Sequence, residues 1–203
     1  MRVVITGGRQ SGINPGVHVL NSWLHDYFNE AHEVIQLSRS TGYDLDEKYN
    51  EIVEIATTAD IFVNSACVKD YQIKLLEDVY GKVPYLICLG SIAGDFCGAP
   101  QSYPNHPNYP EVKYKLKERC KWIPLENQQA QTNLLHLNIT ETEDENYNIK
   151  GLRKKELYNV LDFWLANPYI ANIDLKFWTE SYYKEHKQKK VQGILDWYND
   201  KRS

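Results

Sequence analysis

Residues 83–89, Val-Pro-Tyr-Leu-Ile-Cys-Leu, form an almost unbroken apolar run that Gly90 closes. The run is short for a buried helix and lacks the polar alternate positions of a half-wet strand, so it reads as a strand covered on both faces. Such a strand requires a sheet with helices above and below it. The rest of the chain supplies both. Short apolar or β-branched runs at Val3–Ile5, Glu33–Leu37, Tyr43–Leu45, Ile61–Asn64 and Leu134–Ile139 read as further strands, with Ile170–Phe177 as a last strand or extended segment.

Between these runs the apolar residues recur at helical spacing. After Pro15, which suits the first turn of a helix, come Leu20, Trp23, Leu24, Tyr27 and Phe28. Helices are likewise expected at Glu47–Thr58, Tyr71–Tyr80, Tyr109–Trp122 and Leu152–Leu165, with a helical, aromatic tail from Glu180 to Trp197. Gly90–Pro110 is rich in Gly, Pro, Asn and Ser and reads as a loop; residues 140–149 read as an exposed acidic excursion. Strands alternating with helices pair in parallel through crossovers, so the expected class is α/β, a doubly wound, mostly parallel sheet with helices on both faces. No repeat or internal linker divides the 203 residues, and one domain spanning 1–203 is expected.

Composition removes several function classes. The net charge of −4 comes from interspersed acids and bases, which leaves no track for a polyanion and argues against a nucleic-acid partner. The basic run Lys187, Lys189, Lys190 has Glu185 and Asp196 nearby and reads as a solvated helix face. No apolar stretch approaches membrane-spanning length, and a strand-like run begins almost at the first residue, so neither a membrane partner nor a leader segment is expected. Cys67, Cys88, Cys97 and Cys120 form no C-x-x-C pair and suggest free thiols in a reducing cytoplasm. The six histidines show no ligand spacing with acids or cysteines, so no metal is expected.

The chemistry-bearing stretch follows the first strand: Thr6-Gly7-Gly8-Arg9-Gln10-Ser11-Gly12-Ile13-Asn14. Small residues there let the backbone approach a pyrophosphate, and the N-terminal N–H groups of the next helix supply partial positive charge. A tight strand-to-helix turn needing glycine is the bland alternative. The stretch resembles the T-G-x-x-x-G-x-G turn of the short-chain dehydrogenase/reductase family, with one residue more and Asn14 in place of a third glycine. Three later segments follow in that family's order. Asn64-Ser65-Ala66 resembles its N-A-G motif, Gly90-Ser91-Ile92-Ala93-Gly94 its S-S-x-A-G segment, and Tyr109-Pro110-Glu111-Val112-Lys113 its Y-x-x-x-K helix.

The resemblance covers most of residues 1–140 and implies a Rossmann-type domain that binds a nicotinamide dinucleotide. Thr6, Gly7, Gly8, Gln10, Ser11, Gly12 and Ile13 would hold the pyrophosphate end, with Asn64, Ser65 and Ala66 beside it. At the end of the second strand an acidic residue would favour the unphosphorylated cofactor, whereas this chain has Ser38-Arg39-Ser40, which suits a 2′-phosphate and points to NADP, with NAD as the alternative. Asp44 and Leu45 resemble the family's D-L pair at the adenine; a simple turn explains Asp44 equally well.

Tyr109 and Lys113 are four apart, so a helix sets them on one face. A phenol holds its proton in neutral water, and a nearby ammonium favours phenolate, which fits Tyr109 as a general acid or base. Ser91 would hydrogen-bond the substrate oxygen, and by resemblance Lys113 would also hold the nicotinamide ribose. In a chain of 15 tyrosines the Tyr-x-x-x-Lys spacing is by itself a common accident, and the Ser-Ile-Ala-Gly before it gives it weight. The chain departs from the family in three further places. Ser91 and Tyr109 are eighteen apart with a proline-rich insertion between, the helix at 71–80 carries no asparagine for a proton relay, and Asn138-Ile139-Thr140-Glu141 stands where Pro-Gly is usual.

The expected activity is hydride transfer between NADP(H) and a small carbonyl or hydroxyl substrate walled by residues 95–108 and 140–149. A non-catalytic dinucleotide sensor and a structural subunit with a vestigial site are the alternatives. The aromatic tail packs on its own domain or forms a homo-oligomer interface.

Overall fold

A computed structural model describes residues 1–8, 15–66, 68–96, 108–139 and 152–175. Its order is β1 (Arg2–Thr6), α1 (Pro15–Asn29), β2 (Glu33–Leu37), α2 (Tyr49–Ala56), β3 (Ile61–Asn64), α3 (Tyr71–Val79), β4 (Tyr85–Leu89), α4 (Tyr109–Glu126), β5 (Asn133–Ile139), α5 (Lys154–Ala166) and β6 (Asn172–Leu175). The strands form one sheet in the order β2-β1-β3-β4-β5-β6, and every pair is parallel. The expected class is therefore observed, and Val83–Leu89 supplies the core of β4.

Strand alternation divides the interior into two layers. Val3 and Ile5 of β1, Ile61 and Val63 of β3, and Leu135, Leu137 and Ile139 of β5 face Leu20, Leu24 and Phe28 of α1 and Leu157, Leu161 and Trp164 of α5. The opposite positions, Val4, Phe62, Leu86, Cys88 and Leu134, face Ile52 of α2, Leu75, Leu76 and Val79 of α3, and Leu116, Cys120 and Ile123 of α4. Removing a fully buried leucine side chain from such a layer costs about 2–5 kcal/mol. Among the described residues no helix is long and apolar enough to cross a membrane.

Tyr43–Leu45 is not a strand. The Ser38 carbonyl accepts from both the Thr41 and Tyr43 N–H groups, Gly42 turns the chain at φ 85°, and the Asp44 carbonyl accepts from Glu47 and Lys48 at the entry to α2. The backbone groups a strand would offer are thus consumed by two consecutive turns, and Leu45 anchors the bend in the α2–α4 layer. Helix bounds also move. α2 is shorter than the apolar spacing suggested, because the hydroxyls of Thr57 and Thr58 bond back to the Glu54 and Ile55 carbonyls and close it. α4 runs past Trp122 to Glu126 and carries Pro124 inside its last turn, where the ring forfeits the helical bond to the Cys120 carbonyl and the helix ends two residues later. The expected tail helix and the 140–149 excursion lie outside the described residues.

The chain steps from β2 across to the far side of β1 to form β3, so sequence neighbours diverge at the carboxyl ends of β1 and β3. In open parallel sheets a crevice opens at such a switch point, and ligands bind there. Thr6, Asn64, Ser65, Gly90 and Ser91 all lie at or just beyond that edge of the sheet.

Candidate functional site at the sheet's carboxyl edge

Thr6 links the two sides of the crevice. Its buried hydroxyl donates to the Val63 carbonyl (3.3 Å) and accepts from the N–H groups of Ser65 (3.1 Å) and Ala66 (3.3 Å). The Ser65 hydroxyl lies between the Thr6 carbonyl and Asn21 Oδ1, and Asn21 Nδ2 donates to the Gly8 carbonyl at 3.1 Å. Gly7 sits inside this knot at φ 99°; a Cβ there would meet Asn21 Nδ2 at 2.7 Å and Ser65 Oγ at 2.9 Å. Gly7 is therefore required by the protein's own packing, before any ligand is considered. The Gln36 side-chain amide of β2 donates to the Gly7 carbonyl and secures the other flank. Gln10, Ser11, Gly12 and Ile13 lie outside the described residues.

A second buried cluster joins α3 and α4 to the sheet. Lys113 is only 4% exposed, and its ammonium donates to Gln72 Oε1 and to the Leu89 carbonyl, both at 2.8 Å. The Gln72 amide nitrogen donates in turn to the carbonyls of Asn64 (2.8 Å) and Leu89 (3.0 Å). Asn64 Nδ2 returns a bond to the Gln72 carbonyl at 2.7 Å, while Asn64 Oδ1 is buried with no protein partner. Lys113 Nζ lies 5.6 Å from the centroid of the Tyr109 ring, one helical turn away, so α4 does set both on one face.

Ser91 opens a short 3₁₀ turn, Ile92–Phe96, and its Oγ accepts from the Ala93 N–H at 3.2 Å. Gly94 seats that turn on α4: a Cβ there would lie 2.8 Å from the Tyr114 nitrogen and 2.9 Å from the Lys113 carbonyl carbon. Asp95 adds an ion pair to Lys117, one turn beyond Lys113, and accepts from Asn138 Nδ2 at 3.5 Å. The Lys117 ammonium is held above the ordinary lysine range by its hydrogen bond to Asp95. Of the expected substrate walls, residues 97–107 and 140–149 lie outside the described residues.

At the end of β2, the Ser38 and Ser40 hydroxyls are 2.9 Å apart. The Arg39 guanidinium is 68% exposed; its Nε lies 2.6 Å from Asp44 Oδ2, and its Nη2 lies 4.0 Å from Asp46. Asp44 also accepts from the Asp46 N–H at 2.9 Å, as a turn-forming acid does. Leu45 lies in the core layer at 6% exposure.

Sequence reasoning missed Asn21, Gln36, Gln72, His136 and Asn138. Position offers a signal for Gln72, which occupies the first place in the buried stripe Gln72, Leu75, Leu76, Val79. His136 and Asn138 share the α4-facing positions of β5 with Leu134.

No family model matches the chain, and no curated protein matches it. Solved structures do. The bulky-bulky ketone specific alcohol dehydrogenase of Comamonas testosteroni superposes with a TM-score of 0.61 at 14% identity, over 96% of this chain and 93% of that one. The 3-ketoacyl-(acyl-carrier-protein) reductase of Brucella melitensis, solved with NADH, gives 0.59 at 14% identity over 86% and 96%. A short-chain dehydrogenase of Sphingobium yanoikuyae, solved with NADPH, gives 0.56 at 13% identity over 96% and 94%. This chain has the short-chain dehydrogenase/reductase fold.

Within this dehydrogenase/reductase fold His136 is a buried polar residue. It is buried on β5, its Nδ1 pairs with Asn172 Oδ1 of β6 at 2.9 Å, and its Nε2 has no hydrogen-bond partner in the protein. Its ring edge faces Gly90, where a Cβ would meet the ring's Cε1 at 2.8 Å. Burial holds the imidazole's affinity for protons below the ordinary value of 6.5; the Asn172 hydrogen bond and Asp174 oppose this, while the Lys113 and Lys117 charges reinforce it.

As pH falls through 6.5, the unfolded chain gains a proton at His136 and the folded one does not, so stability declines down to the folded value. Denaturant unfolding between pH 7.5 and 5 is expected to show a shallower acid decline in His136→Gln than in the parent, with a difference of at most about 1.4 kcal/mol per pH unit. Identical slopes would mean that His136 takes up its proton over the same pH range in the fold as in the unfolded chain.

Proposed function

We propose that the protein is an NADP-dependent oxidoreductase of the short-chain dehydrogenase/reductase type, acting on a small carbonyl or hydroxyl substrate. One observation carries the reading: the Lys113 ammonium is buried at the carboxyl end of β4 and beside the Tyr109 ring, on a helix whose backbone seats the turn that begins at Ser91. A burial of that kind is costly for a lysine unless the site uses the charge or pairs it well.

The switch-point crevice stapled by Thr6 suits a pyrophosphate, and the unpartnered Asn64 Oδ1 nearby suits a hydrogen-bond donor from a bound group. When bound, the nicotinamide supplies or accepts the hydride. The Tyr109 hydroxyl passes its proton to the substrate oxygen during reduction and takes it back during oxidation. Ser91 donates a hydrogen bond to the same oxygen and fixes its position. Lys113 sets its ammonium beside the ring that proton transfer leaves negative, and would hold a ribose hydroxyl.

Arg39, flanked by Ser38 and Ser40, supports a preference for the 2′-phosphate. Its pairing with Asp44 does not oppose this, because an exposed ion pair is worth only about 0–1 kcal/mol and yields to a charge-assisted bond with phosphate. Asp44 is then a partner of Arg39 in the same recognition loop.

Titration followed by nicotinamide fluorescence is expected to give tighter binding of NADPH than of NADH, and Arg39→Asp to narrow or reverse the difference by about 1.5–3 kcal/mol. Equal dissociation constants in the parent would remove Arg39 from phosphate recognition. Against a panel of aldehydes, ketones and keto-sugars, Tyr109→Phe is expected to keep NADPH affinity and to lose roughly 10²–10⁴-fold in turnover. Full turnover in that variant would assign the proton to another group.

A further inference from the structure

Gln72 uses every polar atom of its side chain, and all of them in the same direction of assembly. Its Nε2 donates to the β3 carbonyl of Asn64 and the β4 carbonyl of Leu89, while its Oε1 accepts from Lys113. The residue is fully buried in the first turn of α3, on the stripe that otherwise carries Leu75, Leu76 and Val79. Shape alone would place a leucine or methionine there, and burying an amide without using its bonds is unfavourable. Here the amide bridges three elements whose relative position sets where the Lys113 ammonium sits.

An ammonium has three N–H groups. Two of those on Lys113 are taken by Gln72 Oε1 and the Leu89 carbonyl. We propose that Gln72 is a positioning residue for dinucleotide binding: it commits two N–H groups of Lys113 to the protein and leaves the third as a single, directed donor for a ligand hydroxyl. A lysine without this anchor would spread its donors over several rotamers and lose part of the binding free energy to ordering. The leading candidate for the hydroxyl is on the ribose next to the nicotinamide, which rests on the reading given under Proposed function. Asn64 Oδ1, buried and without a protein partner on the residue whose carbonyl Gln72 also holds, provides an acceptor in the same cluster.

The test is a double-mutant cycle on NADPH binding with Gln72→Met, Lys113→Met and the double variant, each checked for cooperative thermal unfolding. Gln72→Met is expected to weaken NADPH at least tenfold while Lys113 is present and less than threefold in the Lys113→Met background. A merely structural glutamine would weaken binding by the same factor in both backgrounds, and that additivity would overturn the proposal. So would parent affinity in Gln72→Met. If Gln72→Met does not fold, Gln72→Asn takes its place in the cycle. Asn keeps a buried amide one methylene too short to hold Lys113 Nζ, whereas Glu would keep the anchor, and the same inequality between backgrounds is expected. Absence of NADPH binding by the parent itself would instead overturn the underlying functional reading, and the positioning role with it.

Discussion

The hydroxyl of Thr6 holds the crevice of this protein together. Parallel strands that part at a switch point leave the loops after them without sheet partners, and their N–H groups must be satisfied elsewhere. One buried oxygen receives two of those groups, from Ser65 and Ala66, and gives its proton to Val63. Ser65 and Asn21 extend the knot to Gly8, and so Gly7 and Gly8 after β1 and Ser65 and Ala66 after β3 are fixed to each other and to α1. A charge-bearing ligand placed there would meet backbone already ordered, which lowers the entropic cost of binding it.

The other half of the site rests on the same economy of buried polar groups. Lys113, Gln72 and Asn64 each stand where a core residue would pack, and each is held by bonds to strand-end carbonyls or to one another. His136 and Asn138 continue this polar layer along β5, toward Asn172 and Asp95. Cys88 and Cys120 lie at its lower edge, and their mutual hydrogen bond, together with burial, pushes the Cys120 thiol well up, so it behaves as part of the core. A polar layer under one end of a parallel sheet is costly unless it does something that leucines cannot.

The sheet was legible because its strands are buried on both faces, and residues such as Leu86, Ile87, Leu135 and Leu137 mark that directly. Tyr43–Leu45 misled because an aromatic, an acid and a leucine mimic strand alternation, whereas Gly42 and the Ser38 carbonyl had already committed the backbone to a turn. At the site, Thr6, Ser91, Tyr109 and Lys113 could be found as motifs with fixed spacing. Gln72 could not, because its partners are distant in sequence and converge only through the packing of α3 between β3 and α4. A polar residue on an otherwise apolar helical stripe was the available sign. Gly94 was visible as part of a motif, but its reason, direct contact with the α4 backbone, belongs to the assembled fold.

A crystal structure grown with NADPH measures the joint claim that these two buried clusters form one dinucleotide site. The pyrophosphate is expected across the turn that begins at Gly7, with a hydroxyl of the nicotinamide ribose within hydrogen-bond distance of Lys113 Nζ and the Tyr109 hydroxyl facing the nicotinamide ring. Lys113 is expected to keep its bonds to Gln72 and Leu89 in that complex. NADPH bound away from the β1–β3 crevice, or bound in it with Lys113 touching only protein, would contradict the assignment.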